Sequence, residues 1–98
     1  MKKVILLCSA GMSTSMLVEN MKEAALNKNY DYQIEAHSLT ELNNVKDSAD
    51  IILLGPQVRF QLDSVKKQVE CQVEVIPMTD YGQMNGSKVV ELVHSLVG

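Results

Sequence analysis

Four short apolar segments recur along the chain and alternate with segments of helical periodicity. They predict β-strands at residues 3–7, 32–37, 50–54 and 73–76. The first and third segments are continuously apolar, which is typical of strands buried on both faces of a parallel sheet. The second and fourth carry polar residues and suit the sheet's edges. Right-handed crossover connections then predict the strand order 2-1-3-4.

The segments between these strands place apolar residues at helical spacing. The first helix, after a Ser/Thr-rich start, is marked by Leu17, Met21 and Ala24. Residues 38–41, Ser-Leu-Thr-Glu, have the form of a capping box that opens a short second helix. A third helical face is marked by Val58, Leu62, Val65 and Val69. A last helix is predicted over residues 87–97, so residues 1–98 are interpreted as one three-layer α/β domain with helices on both faces of the sheet.

Composition narrows the class of protein. The 98 residues are 46% hydrophobic, which is enough for a single core. A net charge of −3, with no lysine- or arginine-rich run, does not indicate a nucleic-acid or anionic-membrane surface. The apolar segment at residues 4–7 is too short for a signal peptide or a membrane span, which predicts a cytosolic protein. The polar edge strands favour a monomer.

A cysteine ends the first predicted strand, and a small hydroxyl-rich loop follows it. The residues are Cys8, Ser9, Ala10, Gly11, Met12, Ser13, Thr14 and Ser15. In the order 2-1-3-4 the connections leave strands 1 and 3 in opposite directions, so their carboxyl ends form the switch point where ligands of such sheets bind. Backbone N–H groups and the helix dipole favour a thiolate there and also bind an oxyanion. The sequence therefore predicts a nucleophilic Cys8 inside a phosphate-binding loop.

The parts that a phosphatase would need are missing from this loop. A cysteine-dependent phosphatase places an arginine six positions after its nucleophile, where this chain has Thr14. Its leaving-group acid typically comes from an Asp-Pro loop, whereas Pro56 and Pro77 follow Gly55 and Ile76. The loop is thus predicted to hold a phosphoryl group without the usual means of hydrolysing an ester.

Three alternatives remain open at this point. They are a phosphatase, an arsenate reductase on the same fold, and a nucleotide- or flavin-binding module. Against the reductase, no second cysteine lies near Cys8 in sequence, although Cys71 could approach it in space. Against the binding module, a thiol occupies the loop, and Tyr30 and Tyr32 lie at the start of an edge strand, away from it.

Other candidate residues receive simpler interpretations. Gln57 and Tyr81 follow strands 3 and 4 and are candidates for the border of the site. Packing is predicted for Cys71 and favoured for Met12 and Met16, which flank the loop and could instead form an adaptable apolar rim for partner docking. A solvated position is favoured for Arg59 over a role in guiding a phosphorylated partner. Neither His37 nor His94 is predicted to lie beside the anion-binding loop, which argues against a phosphohistidine.

Two stretches of the chain resemble a known family. Residues 7–15 (LCSAGMSTS) and 53–58 (LLGPQV), with a weaker echo at residues 81–86 (YGQMNG), resemble the enzyme IIB components of the lactose/cellobiose type. These belong to the bacterial phosphoenolpyruvate-dependent sugar phosphotransferase system (PTS). The resemblance spans essentially the whole chain, and its first motif is specific. It also implies a fold similar to that of the low-molecular-weight tyrosine phosphatases.

The resemblance implies a phosphocarrier. Cys8 would accept a phosphoryl group from a phosphohistidine of the IIA protein and pass it to a sugar entering through the IIC membrane component. The sugar would be a β-glucoside or disaccharide such as cellobiose, chitobiose or lactose. Residues 9–15 would cradle the phosphate, and neither a metal nor a cofactor would be required.

Overall fold

The computed structural model describes residues 1–8 and 14–98; the predictions for Ser9, Ala10, Gly11, Met12 and Ser13 lie outside this range. The strands are β1 (Lys2–Cys8), β2 (Tyr32–Ser38), β3 (Ile51–Leu54) and β4 (Gln72–Val75). The α-helices are α1 (Thr14–Asn27), α2 (Leu42–Val45), α3 (Leu62–Gln68), α4 (Met78–Gly82) and α5 (Gly86–Val97). Short 3-10 helices occupy Leu39–Glu41, Lys46–Ser48 and Pro56–Gln61.

The strands form one parallel sheet in the order β2-β1-β3-β4, which confirms the predicted topology. Its central strands are the two continuous apolar runs, and all four residues of β3 are buried. In register, Leu7 of β1 lies opposite Leu54 of β3, and Cys8 lies opposite Ser38 of β2. The carboxyl ends of β1 and β3 therefore lie side by side.

Alternate residues of β1 contribute to two separate hydrophobic clusters. Val4 and Leu6 face the cluster that contains buried residues of α1 and α5. Ile5 and Leu7 face the cluster that contains buried residues of α2 and α3. Because successive side chains of a strand point to opposite faces, this division produces the predicted three-layer arrangement.

Helices α1 and α5 approach each other at a glycine. A Cβ atom on Gly86 would lie 2.3 Å from the carbonyl carbon of Asn20 and 2.4 Å from the backbone nitrogen of Met21. The Asn20 side chain also donates a hydrogen bond to the Met84 carbonyl oxygen at 2.9 Å. These contacts fix the segment before α5 against the middle of α1.

Local details agree with most of the sequence pattern. The predicted capping box is present, and the Ser38 N–H donates to Glu41 Oε2 at 3.3 Å. The third helical segment is divided, because a 3-10 helix with non-helical φ and ψ at Val58 precedes α3. Helix α4 was not predicted, since its five residues, MTDYG, are too few to display an apolar period. Within residues 1–8 and 14–98, no helix is long and apolar enough to cross a membrane.

Candidate functional site

Cys8 and Thr14, six residues apart in sequence, meet at the carboxyl ends of the strands. Cys8 is the last residue of β1 and is 2% exposed, and Thr14, the first residue of α1, is 1% exposed. The distance from Cys8 Sγ to Thr14 Oγ1 is 3.3 Å. The threonine at the position of the phosphatase arginine thus places a neutral hydroxyl on the sulfur.

This pairing suits a sulfur that carries negative charge. When Cys8 is a thiolate, the Thr14 hydroxyl can donate to it, and hydrogen bonds to ionised acceptors are stronger than those between neutral groups. Thr14 lies in the first turn of a 14-residue helix, where the helix dipole favours anions. The same two features would stabilise phosphoryl oxygens attached to the sulfur.

Gln57 lies close to Cys8 because the residue between them has no side chain. The Gly55 N–H donates to the Leu7 carbonyl oxygen at 2.9 Å, which holds the exit of β3 against the end of β1. A Cβ on Gly55 would lie 3.6 Å from Cys8 Cβ and 3.2 Å from Gln57 Oε1. The glycine therefore leaves room for the carboxamide to fold back toward the cysteine.

A groove of about 340 Å³ extends from Gln57 to the segment after β4. Tyr81, the second predicted border residue, lines it together with Met78, Met84 and Arg59. The Arg59 side chain is exposed, and its Nη1 donates to the Pro56 carbonyl oxygen at 2.8 Å, so the guanidinium is held at the groove. The solvated position predicted for Arg59 is confirmed, and the groove is a feature that the sequence pattern did not reveal.

Exposed apolar side chains lie around this end of the molecule. Phe60 is 75% exposed, Met78 is 63% exposed and Met16, in the first turn of α1, is 62% exposed. The prediction of packing is wrong for Met16, because position 16 lies on the solvent side of a helix whose core face is formed by Leu17, Val18 and Met21.

Cys71 lies one residue before β4, at the amino ends of the strands, whereas Cys8 lies at their carboxyl ends. It packs against the cluster on the α2 and α3 face, as predicted. Burial, with a smaller contribution from the nearby charge of Asp50, raises the pKa of its thiol. A cavity of about 640 Å³ adjoins Cys71, but charged residues at this end line it and Cys8 does not.

The histidines lie in other networks. The His37 ring contacts Glu35 Oε1 at 3.0 Å and Glu41 Oε2 at 3.5 Å, and the pKa of Glu35 is lowered chiefly by its hydrogen bond to His37. His94 stacks on Tyr30 with ring centroids 4.1 Å apart. Outside residues 9–13, no group of three or more His, Cys, Asp or Glu residues is arranged to hold a metal ion.

The sequence profile of the family described as "PTS system, Lactose/Cellobiose specific IIB subunit" matches residues 3–92. The chain belongs to this family. Members of the IIB family are sugar phosphotransferases of the PTS and work there with IIA and IIC partners.

Individual relatives agree with this assignment. The chain is 40% identical over 104 residues to the cellobiose-specific EIIB component of Lactococcus lactis, covering 98% of this chain and 96% of that protein. It is also 40% identical over 100 residues to the oligo-beta-mannoside-specific EIIB component of Bacillus subtilis, covering 99% and 97%. The solution structure of a cellobiose-specific IIB protein from Borrelia burgdorferi superposes with a TM-score of 0.81 at 41% identity, covering 98% of this chain and 91% of that one.

Proposed function

We propose that Cys8 carries the phosphoryl group in this IIB chain. The observation that supports this most strongly is the 3.3 Å contact between Cys8 Sγ and Thr14 Oγ1, located at the switch point of the sheet. This contact joins a nucleophile to a hydroxyl donor at a helix start, in a family whose members transfer phosphoryl groups.

The proposed reaction has two steps. The Cys8 thiolate attacks the phosphorus of a phosphohistidine on IIA, so that the S–P bond forms as the N–P bond breaks and the electron pair returns to the imidazole. A hydroxyl of the sugar presented by IIC then attacks phosphorus, and Cys8 leaves as the thiolate while the hydroxyl proton passes to a base. No step consumes water.

The roles of the surrounding residues follow from where charge develops. Thr14 donates to the sulfur before transfer and to a phosphoryl oxygen after it. The backbone N–H groups of residues 9–15 hold the equatorial oxygens, as the sequence predicts, and Gln57 borders the phosphoryl group. The acceptor is a sugar of the cellobiose, chitobiose or lactose type, and the chain works at the cytoplasmic side of the permease.

The absence of a basic side chain from residues 8–15 suits transfer rather than storage or hydrolysis. An arginine clamp would hold the phosphoryl dianion with two charge-assisted hydrogen bonds. Backbone and hydroxyl donors hold it more weakly, so the phosphocysteine is easier to pass on.

Mass spectrometry of the intact chain tests the proposal. The chain is incubated with phosphoenolpyruvate, the general phosphotransferase proteins and a lactose/cellobiose-type IIA protein. We expect one phosphate adduct on the parent and on Cys71→Ser, and none on Cys8→Ser. An adduct that persists in Cys8→Ser would place the phosphoryl group elsewhere.

The alternatives are tested in the same preparation. An arsenate reductase needs a resolving cysteine near its nucleophile, and Cys71 lies at the other end of the sheet. Rapid turnover of an aryl phosphate by the chain alone would favour a phosphatase over a carrier.

A further inference from the structure

The groove that Gln57, Arg59 and Met78 line, at the end of the sheet where Cys8 lies, has the features of a docking surface. We propose that it receives the phosphorylated donor protein, and that Arg59 faces the donor's negative charge. This inference rests on the proposed function and extends it from the reaction to the surface that selects the partner.

The distribution of exposed apolar residues supports the location. Large hydrophobic side chains that are more than half exposed among the described residues are Met1, Met16, Leu26, Phe60 and Met78. Met1 is the first residue, and Leu26 lies in the last turn of α1, at the end remote from Thr14. The other three follow the carboxyl ends of β1, β3 and β4. A single exposed apolar residue is unremarkable, but here Met78 lines the groove, and Met16 and Phe60 belong to the segments that follow the neighbouring strands β1 and β3.

Methionine is suited to such a surface. Met78 and Met84 line the groove, and Met16 and Phe60 lie outside its lining. Methionine side chains are flexible and polarisable, so they adapt to a partner that binds briefly and leaves. Aromatic residues and methionine are also enriched at the centres of protein interfaces, which agrees with this composition.

Charge favours the phosphorylated donor as the occupant. Arg59 is the only arginine of the chain, and it is the only charged residue among the described residues that line the groove. Its guanidinium, held by the Pro56 carbonyl, attracts the dianionic phosphoryl group of an incoming phosphohistidine. The sugar that IIC presents in the second step of the proposed reaction carries no such charge.

The groove also extends toward Cys8, whose sulfur accepts the phosphoryl group in the proposed reaction. Gln57 lines the groove and lies beside Cys8 across Gly55, so the groove and the nucleophile share one border. A donor seated in the groove therefore presents its phosphoryl group at the Cys8 end. Gly55 and Gln57 connect the recognition surface to the site of reaction.

Kinetics with varied donor concentration test this proposal. The donor is a lactose/cellobiose-type IIA protein kept phosphorylated by phosphoenolpyruvate and the general phosphotransferase proteins. The variants are Met78→Asp, Phe60→Asp and Arg59→Glu. We expect each to raise the KM for the donor about tenfold with kcat unchanged, because interface residues contribute to association and not to the chemical step.

Leu26→Asp is the matched control, since Leu26 is 77% exposed but lies away from the groove. Its KM and kcat should equal those of the parent, and circular dichroism should show that all four variants are folded. Unchanged KM values in Met78→Asp and Arg59→Glu would overturn the docking surface while leaving the phosphocysteine intact. Failure of the parent to be phosphorylated would instead overturn the proposed function.

A second measurement separates the donor from the permease. Transfer from the phosphorylated variants to sugar is followed in membrane vesicles that contain IIC. The proposal expects parent rates in this half-reaction. Slow transfer to sugar combined with normal acceptance from IIA would assign the surface to the permease and refute the assignment made here.

Discussion

The two ends of the parallel sheet each hold a cysteine, and the proposed phosphoryl transfer uses only the one at the carboxyl ends of the strands. At the carboxyl ends of the strands, Cys8 contacts the Thr14 hydroxyl, and Gln57, which lies near Cys8 across Gly55, lines a groove of about 340 Å³. At the amino ends, Cys71 adjoins a larger cavity of about 640 Å³ lined by Asp47, Asp50 and Glu70 among others. Cavity size and the presence of a thiol therefore do not identify the site.

The direction of the chain explains the difference. In a parallel α/β domain, helices begin near the carboxyl ends of the strands and end near their amino ends. Helix α1 begins beside Cys8, whereas α3 ends at Gln68, three residues before Cys71. Helix starts favour anions and helix ends disfavour them, which supports the proposed nucleophile at Cys8 and agrees with the raised pKa of the Cys71 thiol.

The largest effect, on stability, is expected at Gly86, where the start of α5 packs against α1. In Gly86→Ala the new Cβ would lie 2.3 Å from the backbone of α1, and neither backbone can yield without separating the helices. We expect a loss of about 2 to 4 kcal/mol in the free energy of unfolding, measured with urea.

Gly82→Ala is the matched control for this change. A Cβ on Gly82 meets no atom within 4 Å, and Gly82 lies at the end of α4. Alanine there should be neutral or should add about 0.5 kcal/mol of stability. Equal losses of unfolding free energy in Gly86→Ala and Gly82→Ala would show that the close approach of α5 to α1 does not account for the destabilisation.

The next largest effect concerns the hydroxyl beside the sulfur. Thr14→Val keeps the shape of the side chain but removes the donor that faces Cys8 Sγ. Loss of a hydrogen bond to a charged group corresponds to about a 10- to 100-fold lower kcat for phosphorylation by IIA. Thr14→Ser restores the donor and should recover most of the rate. If Thr14→Val is phosphorylated by IIA as fast as the parent, phosphoryl transfer does not depend on this hydroxyl.

A smaller effect is expected at the border between Cys8 and Gln57. Gly55 has φ −62° and ψ 151°, which alanine adopts without strain, so Gly55→Ala should fold normally. Its Cβ would crowd Gln57 Oε1 at 3.2 Å, and we expect kcat to fall about fivefold as the carboxamide is displaced.

A double variant identifies the cause of that loss. If displacement of Gln57 is responsible, Gln57→Ala alone should show a similar loss, and Gly55→Ala combined with Gln57→Ala should be no slower. Losses that multiply in the double variant would show that the two residues act independently.

The sequence predicted the sheet well because the information was local. The continuous apolar runs of β1 and β3 can only be buried on both faces, and this places Cys8 at the switch point. Once the end of β1 and the start of α1 are predicted correctly, the contact between Cys8 and Thr14 follows.

Other features of the site depend on contacts that local patterns do not encode. The groove brings residues of the segment after β3 together with Met78 and Met84, about twenty positions later in the chain. Likewise, Gly86 is a plain turn residue in the sequence, and its importance appears only when α1 lies against it. Exposure of Met16 depends on the rotation of α1, which its neighbours Leu17 and Val18 determine by packing.

The smallest effect is expected at the amino ends of the strands, in a Cys8→Ser chain whose remaining thiol is Cys71. Burial and the charge of Asp50 disfavour the thiolate, so the pKa of Cys71 is raised from its ordinary value of 9.0. Alkylation by iodoacetamide requires the thiolate, and its rate should therefore be low at neutral pH and still increase above pH 9.0. In Asp50→Asn the profile should move slightly toward lower pH, because only the smaller of the two causes is removed. A Cys71 that reacts fully at neutral pH would contradict the raised pKa of this thiol and, with it, the contrast between the two ends.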